Sequence, residues 1–360
     1  MQNTRQTVDF FLGALTPDGF HGYFDTLIGQ DGLRLYLIKS GPGCGKSTLM
    51  KQLAERGEGL VERVHCSSDP DSLDGAILWQ KGAAALDATA PHTLDAAQPG
   101  ARERVVSLYH TFDNDRLTAN AAPIAALFEQ CGSLQARAAR YIAAARALLQ
   151  DGRRTAARCL DEEKLARAAA RLASRTLPRT GTGAKGREQV RLLSAVTPKG
   201  ILVFRDTIPA LADTIIALQD ETGAASRRIL ARLREEALAR GHKVITCRCG
   251  MAQQDKIDHL IFPELRLAFV TSNRWHPMEF AGQKNIHCSR FAQPGTLKQH
   301  RRRLQFDRKA AAELLAQASA AQRQAKQHHD ELEEYYKAAV DFAAVDTARD
   351  ALLAELGLPV

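Results

Sequence analysis

The segment LRLYLIKSGPGCGKSTLMKQL, residues 33–53, constrains the fold more than any other part of the sequence. An apolar run predicts a strand, a glycine-rich turn follows it, and the stretch from Lys46 and Ser47 predicts an amphipathic helix. Glycines allow successive backbone N–H groups to point inward, and the first turn of a helix adds the positive end of its dipole. This order of elements predicts a phosphate-binding P-loop in an α/β fold.

The loop and the start of the helix carry the residue types that a magnesium–nucleotide complex needs. Lys46 would reach the β- and γ-phosphates, and the Ser47 hydroxyl would take one position on Mg²⁺. The first glycine of the GxxxxGK[ST] pattern is replaced by Ser40, a residue that tolerates most turn geometries. The residues expected to bind the nucleotide are Gly41, Pro42, Gly43, Cys44, Gly45, Lys46, Ser47 and Thr48.

A second element of such a site is a strand that ends in an aspartate. GAAAL, residues 82–86, runs into Asp87, and its small apolar side chains suit a strand that is buried on both faces. Asp87 is therefore expected to hold Mg²⁺ together with Ser47. Ala88 follows, where many ATPases carry a glutamate as general base. Hydrolysis is thus expected to use another residue, to be slow, or to give way to phosphoryl transfer.

Three side chains near this strand in the sequence are candidate general bases. They are Asp69 and Asp74 in HCSSDPDSLDG and His92 in TAPH. Each has a structural alternative, because an aspartate in a Ser/Pro/Asp-rich stretch is commonly a turn or N-cap residue. We keep both interpretations at this point.

The chain also repeats itself. At an offset of about 180 residues, LTPDG at 15–19 pairs with VTPKG at 196–200, and after a few inserted residues His92 meets His276. Matches in the same order over roughly eighty residues predict an internal duplication.

In this alignment the second copy lacks every side chain that would hold the magnesium–nucleotide complex. The alignment pairs Gly43 with Gly223, Gly45 with Ala225, Lys46 with Ser226, Ser47 with Arg227, and Asp87 with Thr271. The second copy is therefore expected to keep the fold and to bind Mg-NTP poorly or not at all. IIALQDE, residues 215–221, looks like a strand with a metal-binding aspartate, but the alignment places Asp220 and Glu221 in the degenerate loop.

The motifs together resemble a known family. TPDGFHGYFD, GPGCGKSTLMK, HCSSDPDSLDG and ALDATAPHTLD, followed by a helical segment and a second copy that opens with RLLSAVTPKG, are similar to a little-characterised bacterial family of tandem P-loop ATPase-like proteins. The resemblance covers most of the chain. It implies a P-loop NTPase fold and nucleotide binding but no substrate. In that family both halves can carry a P-loop, so the degenerate second copy is a departure.

The duplication suggests where an arginine could come from. Arg274 lies opposite Ala90 in the duplicated frame. If the two lobes form a pseudo-dimer, the second lobe could supply Arg274 to the γ-phosphate that the first lobe holds.

The expected fold class is α/β, with two duplicated P-loop NTPase-like lobes, each a parallel sheet with flanking helices and a long helical addition. A helical hairpin is expected to break near Asp151 and Gly152. TLPRTGTGAKGR reads as a linker, and its GTGAKG lacks the preceding strand of a second P-loop. The predicted segments are an N-terminal lobe 1–122, a helical hairpin 123–175, a linker 176–190, a degenerate lobe 191–295 and a C-terminal helical segment 296–360.

Composition indicates a reduced, cytoplasmic protein. Apolar runs of membrane-spanning length and a secretory leader are absent from the sequence, so no membrane partner is expected. The seven cysteines form no CxxC pair, which favours free thiols. Cys44 stands at a helix N-terminus beside a lysine, where a thiolate is expected to be favoured.

The net charge of +8 raises the possibility of a nucleic-acid partner. Between Arg137 and Arg191 the sequence has fourteen Lys and Arg against five Asp and Glu, mainly in the predicted hairpin. Such a surface could follow a phosphate backbone or meet a protein. We favour a solvated Arg-rich helix, because aromatic residues make up 6% of the chain and no base-reading module is recognisable.

The leading function from sequence is a slow or partner-stimulated, Mg²⁺-dependent ATPase with a single site. ATP is favoured over GTP because no NKxD-like guanine-reading motif occurs. One alternative is a small-molecule kinase that uses the same site, since an acceptor hydroxyl needs no glutamate after Asp87. The other is a nucleotide-sensing interaction module with a basic helical surface.

Overall fold

The computed structural model of the chain describes residues 5–181, 184–252 and 256–359. The chain divides into two compact units. The first unit contains the chain up to Ala139, the short segment Thr197–Lys199 and the stretch from Ser319 onwards. The second unit contains Arg140–Val196 and Gly200–Ala318. Each unit combines a sheet with packed helices, which confirms the α/β class.

The elements of the first half of the chain follow a strand–helix order around a sheet. Its strands are β1 Gln6–Phe10, β2 Gly13–Thr16, β3 Gly19–Gly22, β4 Arg34–Lys39, β5 Leu60–His65, β6 Leu73–Leu78, β7 Ala83–Asp87 and β8 Glu103–Ser107. Its helices are α1 Lys46–Arg56, α2 Asn114–Ala119, α3 Ala121–Ala157 and α4 Glu162–Thr176.

The second half repeats this order. Its strands are β9 Glu188–Arg191, β10 Ser194–Thr197, β11 Gly200–Val203, β12 Thr214–Gln219, β13 Val244–Arg248, β14 Ile257–Phe262, β15 Leu267–Ser272 and β16 Lys284–His287. Its helices are α5 Thr207–Leu211, α6 Ala224–Ala239, α7 Thr296–Gln299, α8 Arg301–Lys337 and α9 Phe342–Glu355.

The two main sheets have the same strand order. The first sheet runs β1-β5-β6-β7-β4-β8, and the second runs β9-β13-β14-β15-β12-β16. Each strand of the first sheet thus has a counterpart at the same place in the second. The predicted internal duplication is confirmed at the level of the fold.

The expectation of a parallel sheet is only partly right. In the first sheet β1 pairs with β5 in parallel, as β4 does with β7 and β8, but β6 is antiparallel to both its neighbours. In the second sheet β14 is likewise antiparallel to β13 and β15. The connections explain this difference, because residues 66–72 and 79–82 are too few for the crossover that parallel neighbours require.

Each unit is completed by a helix from the other half of the sequence. The core of the first unit packs Val345, Leu352 and Leu353 of α9 with Leu49 and Leu53 of α1. The expectation that each lobe has its own long helical addition is therefore wrong for α9.

The second unit shows the reciprocal arrangement. Its core packs Leu165, Ala169 and Ala173 of α4 with Ile229 and Leu233 of α6. The three α4 positions are spaced by four residues and so lie on one face of the helix. The sequence order alone attaches α4 to the first lobe, but this apolar face is buried in the second unit.

The predicted helix break at Asp151 and Gly152 is also wrong. Helix α3 continues through both residues to Ala157, and α4 begins after Asp161, whose carboxylate accepts the N–H of Lys164 at 2.9 Å. A glycine inside a helix costs about 1 kcal/mol relative to alanine, which packing easily offsets. A Cβ at Gly152 would lie 3.4 Å from Leu304, so the glycine stands where two helices approach closely.

The predicted linker, 176–190, corresponds to the connection between α4 and β9. Residues 177–187 join α4 to β9, and the part of this segment that the structure describes carries no helix or strand. Thr182 and Gly183, the centre of GTGAKG, lie outside the described residues. Within the described ranges, no helix is long and apolar enough to cross a membrane.

Candidate functional site

The glycine loop, Ser40–Gly45, joins β4 to α1 in the first unit. Gly43 and Gly45 have φ angles of +66° and +81°, a region that favours glycine. Gly45 is the N-cap residue of α1, no side chain caps that helix, and its carbonyl accepts the N–H of Leu49 at 2.9 Å. The N-cap glycine has no side chain that could bind the first N–H groups of α1, which is the arrangement expected of an anion site at a helix N-terminus.

Lys46 and Asp87 meet beside this loop. Lys46 Nζ lies 3.5 Å from Asp87 Oδ2, and both side chains are largely buried. Lys46 also donates to the carbonyl of Gly41 at 2.6 Å. Asp87 Oδ1 accepts the N–H of Thr89 at 2.9 Å, which fixes the carboxylate. The two strands adjoin, since Ile38 of β4 pairs with Asp87, so two residues about forty positions apart in sequence come together as expected.

The two hydroxyl residues after Lys46 have different environments. Ser47 Oγ accepts the N–H of Leu73 at 2.9 Å, which connects the start of α1 to the start of β6. Thr48 is exposed. A hydroxyl oxygen has two lone pairs, so Ser47 retains one for a cation.

The last turns of α8 cover the glycine loop. A Cβ at Gly41 would lie 2.7 Å from the ring of Tyr336, and one at Gly43 would lie 3.0 Å from the carbonyl oxygen of Glu333. The glycines are thus required by packing as well as by conformation. This contact was not predicted, because nothing local in α8 indicates that it packs on the glycine loop.

Cys44 does not behave as its position in the sequence suggests. The residue is 1% exposed, and its thiol donates to the carbonyl of Pro42 at 3.1 Å. Burial raises the pKa of the Cys44 thiol, although the nearby charge of Lys46 opposes the rise. The expectation of a thiolate at Cys44 is therefore wrong, because desolvation outweighs the charge of Lys46.

The three candidate bases are already engaged. Asp69 accepts the hydroxyl of Ser72 at 2.8 Å and lies 3.7 Å from the ammonium of Lys326. His92 is buried, and its Nε2 lies 3.3 Å from Asp74 Oδ2.

Asp74 is a buried carboxylate that the charges of both Lys46 and Asp87 affect. Burial raises the pKa of the Asp74 carboxyl, the charge of Asp87 adds to the rise, and His92 and Lys46 oppose it. Asp74 therefore interacts with both Lys46 and Asp87. Sequence reasoning named Asp74 but gave it no preference over Asp69.

Arg274 has its own partner. It lies in the second unit, where its Nε is 3.4 Å from Glu221 Oε2. A contribution of Arg274 to a nucleotide held by the first unit stays a prediction.

The basic hairpin carries exposed arginines on both of its helices, α3 and α4. Arg137, Arg140 and Arg154 are exposed. Arg167 pairs with Glu163 at 3.2 Å, and this pair is also exposed. A partner for this surface stays a prediction.

The counterpart of the glycine loop in the second unit is shorter. The N-cap residues of α1 and α6 are Gly45 and Gly223, both with positive φ. The strand ends also match, because Ile38 pairs with Asp87 as Leu218 pairs with Thr271. The loop of the second unit, Asp220–Gly223, is thus two residues shorter than Ser40–Gly45.

This two-residue difference corrects the sequence alignment in one detail. Gly223 corresponds to Gly45 and not to Gly43, and Ala224 and Ala225 stand where Lys46 and Ser47 stand. The loss of the lysine and of the serine hydroxyl is unchanged by this correction.

The side chain of Asp220 occupies the inside of this shorter loop. Its Oδ1 accepts the N–H groups of Thr222 and Gly223 at 3.1 and 2.9 Å, and its Oδ2 accepts those of Ala225 and Ser226 at 2.9 and 2.8 Å. Asp220 and Glu221 are loop residues, as predicted. The N–H groups that would face a phosphate are bound to a carboxylate of the chain itself.

Comparisons with known proteins add no relative: no protein-family model, curated protein or solved structure matches this chain. The resemblance drawn from the motifs therefore stays a prediction.

Proposed function

We propose that the first unit binds a magnesium–nucleoside triphosphate, with ATP preferred, at the glycine loop and hydrolyses it slowly or when a partner stimulates it. The observation that carries this proposal is the pair of Lys46 and Asp87, whose side chains lie 3.5 Å apart beside a loop with two glycines at positive φ. A lysine and an aspartate in this relation are the minimal cation–anion set for a phosphate and its magnesium ion.

The loop supplies the phosphate contacts. The N-terminus of α1 and the helix dipole favour an anion in front of Gly45. Lys46 would exchange its bond with the Gly41 carbonyl for a phosphate oxygen.

The residues present also fit a magnesium ion. The Ser47 hydroxyl and the Asp87 carboxylate are the hard oxygen ligands that Mg²⁺ prefers, and magnesium keeps its remaining waters. When bound, the ion would neutralise the charge that develops on the β- and γ-phosphates. The N–H of Leu73 holds the Ser47 hydroxyl in place, and the N–H of Thr89 holds the Asp87 carboxylate.

Slow or stimulated turnover agrees with the environment of the candidate bases. Asp69 is bound to Ser72, and the imidazole of His92 is packed against the rings of Phe20 and Phe24 at 4.7 and 4.9 Å. Both side chains are held in place by these contacts. Activation by a partner would have to change one of these contacts.

The test is a titration of ATP and GTP with Mg²⁺ against the wild type and Lys46→Ala, with phosphate release followed in the same samples. We expect one saturable site that Lys46→Ala abolishes. Lys51→Ala is the matched control, because Lys51 is an exposed lysine of the same helix. Binding that survives Lys46→Ala would overturn the proposal, and so would the absence of binding in the wild type.

A nucleotide-sensing module is the second candidate function. The contact of Tyr336 and Glu333 with the loop glycines favours it, because a ligand in the loop would act directly on the end of α8. Here we expect stoichiometric ATP binding without phosphate release, accompanied by a change in amide hydrogen exchange in residues 330–337. Phosphate release with unchanged hydrogen exchange in residues 330–337 would contradict the sensing module and leave the ATPase as the supported function.

A further inference from the structure

Three metal-ligand side chains from separate segments converge in the first unit. Cys66 follows β5, Asp74 is the second residue of β6, and His92 follows β7. One ligand atom from each of the three lies within 4.8 Å of the other two. The sheet brings these segments together at the ends of neighbouring strands.

We propose that Cys66, Asp74 and His92 form a binding site for a divalent transition-metal ion of the zinc class, and that the ammonium group of Lys256 takes the place of this ion in the second unit. The inference does not rest on nucleotide binding.

The donor set selects the class of metal. Thiolate, imidazole and carboxylate together suit Zn²⁺ and similar ions, whereas Mg²⁺ and Ca²⁺ prefer oxygen donors alone. Three protein ligands leave a fourth position of a tetrahedral site for water. On binding, the sulfur of Cys66 forms the bond to the metal and its proton leaves to solvent.

The histidine has unused bonding capacity. His92 and Asp74 are 8% and 6% exposed. Nε2 of His92 faces Asp74, while its Nδ1 is buried and has no hydrogen-bond partner among the residues that the structure describes. The rings of Phe20 and Phe24 hold the imidazole in place. Nε2 is therefore the nitrogen that would bind the metal, and the rings of Phe20 and Phe24, not a hydrogen bond at Nδ1, fix its direction.

The second unit has the same three residue types at the corresponding positions. Cys249 follows β13, Asp258 is the second residue of β14, and His276 follows β15. The Cys66 N–H donates to the carbonyl of Ser72 at 3.0 Å, and the Cys249 N–H donates to that of Lys256 at 2.9 Å. Ser72 and Lys256 are therefore equivalent.

Ser72 and Lys256 differ in charge, and this difference determines whether the chain itself supplies a cation to the cluster. In the second unit, Lys256 Nζ lies 2.7 Å from Asp258 Oδ1, and His276 Nε2 lies 3.7 Å from the same oxygen. A positive charge of the chain thus lies against the carboxylate of this cluster. In the first unit the equivalent side chain is the neutral hydroxyl of Ser72, which donates to Asp69. Lys46 acts on Asp74 only from its place between Gly41 and Asp87. The first unit keeps the ligands without the built-in ammonium.

The experiment uses the full chain, freed of metal with a chelator and titrated with Co²⁺ without nucleotide. The near-ultraviolet thiolate–Co²⁺ absorption reports a Cys66 ligand, and displacement by Zn²⁺ gives the affinity. We expect one equivalent in the wild type and roughly 100-fold weaker binding or more in Cys66→Ser. Cys249→Ser is the matched control and should bind as the wild type does. Absence of the absorption in the wild type, or its survival in Cys66→Ser, would overturn the proposal.

Two further variants test the equivalence of Ser72 and Lys256. Ser72→Lys should abolish Co²⁺ binding while circular dichroism shows an intact fold, because the new ammonium fills the site. Lys256→Ser should raise the stoichiometry to two, and a value of one would contradict the equivalence. Lys46→Ala should retain the Co²⁺ absorption, so failure of nucleotide binding and failure of metal binding can be told apart.

Discussion

At the scale of single residues, Asp87 shows how one carboxylate is prepared for a cation. One oxygen accepts the N–H of Thr89 at 2.9 Å, and the other faces Lys46 at 3.5 Å. Asp87→Asn can keep the bond with Thr89 and loses only the charge. We expect the Mg²⁺ concentration for half-maximal ATP binding to rise by roughly 10–100-fold. Calorimetric titration of ATP at a series of Mg²⁺ concentrations measures this.

The control for that substitution is Asp95→Asn. Asp95 is an exposed aspartate of the same unit, paired with Lys39 at 2.8 Å. It should leave the magnesium requirement unchanged. If the wild type and Asp87→Asn needed the same Mg²⁺ concentration for half-maximal ATP binding, Asp87 would not be a magnesium ligand.

A second residue-scale prediction concerns pH. Burial alone would raise the pKa of Asp9, but hydrogen bonds from His65 and Arg63 lower it to about 2. Because the folded-state pKa is depressed, the stabilisation is complete above about pH 4.5 and is lost as the pH falls toward 2. Asp9→Asn should lower the free energy of unfolding by about 2 kcal/mol at pH 7, and this difference should halve by about pH 3. Urea titrations across that range measure it.

Asp71→Asn is the control for the pH series. Asp71 pairs with Lys199 at 2.6 Å, but both side chains are well exposed. Exposed pairs contribute about 0–1 kcal/mol, so its effect should be small at every pH. A difference for Asp9→Asn that stays constant with pH would mean that the charge is not the cause.

At the scale of elements, the glycine loop and α8 constrain each other. Gly43→Ala must place a Cβ at φ +66° and 3.0 Å from the carbonyl of Glu333. We expect it to destabilise the first unit by about 1–3 kcal/mol. Gly132→Ala, on the exposed face of α3, meets no atom of the described residues within 4 Å and should stabilise by up to about 1 kcal/mol. Thermal unfolding of both variants gives the comparison, and equal signs would contradict it.

The loop of the second unit gives an element-scale prediction of its own. Asp220 accepts N–H groups from Thr222, Gly223, Ala225 and Ser226. Asp220→Ala would leave these buried donors unpaired and should destabilise the second unit by about 3 kcal/mol. Inorganic phosphate should then raise the melting temperature of the variant but not that of the wild type, because it can take the vacated place.

Glu221→Ala serves as the control for Asp220→Ala. Glu221 is half exposed and pairs loosely with Arg274 at 3.4 Å, so its loss should change stability by less than about 0.5 kcal/mol. Equal destabilisation by both substitutions would show that the loop donors do not depend on the Asp220 carboxylate.

The elements that the sequence predicted well are those with local causes. The start of α1 at Lys46 and the buried strand β7 ending in Asp87 follow from residue types within a few positions. The antiparallel β6 was missed because strand direction depends on the length of connections and not on the residues of the strand. The pKa of Cys44 was missed because the burial of its thiol follows from the tertiary fold and cannot be seen from the residues around the cysteine.

At the scale of the whole molecule, the duplication was predictable and the exchange of helices was not. The repeat can be recognised from matched sequence motifs such as those around His92 and His276. The destination of α4 and α9 is decided by which apolar face fits which sheet layer: α4 buries one leucine and two alanines, and α9 buries one valine and two leucines. Sequence order therefore gave the wrong partner for both.

The exchange can be tested because each unit contains one of the two tryptophans, Trp79 in the first and Trp275 in the second. Single-tryptophan variants then report the unfolding of each unit separately. Leu353 of α9 is 1% exposed in the core of the first unit, and Leu165 of α4 is 3% exposed in that of the second. Replacing either by aspartate puts an unpaired charge in a core and should cost about 3–5 kcal/mol.

The expected result is a crossover of the two probes. Leu353→Asp should lower the urea midpoint reported by Trp79 more than that reported by Trp275, and Leu165→Asp should do the reverse. The residue that is later in sequence would thus destabilise the unit that is built mainly from the earlier half. If Leu353→Asp instead lowered only the Trp275 midpoint, α9 would belong to the second unit, as sequence order suggests, and the exchange would be wrong.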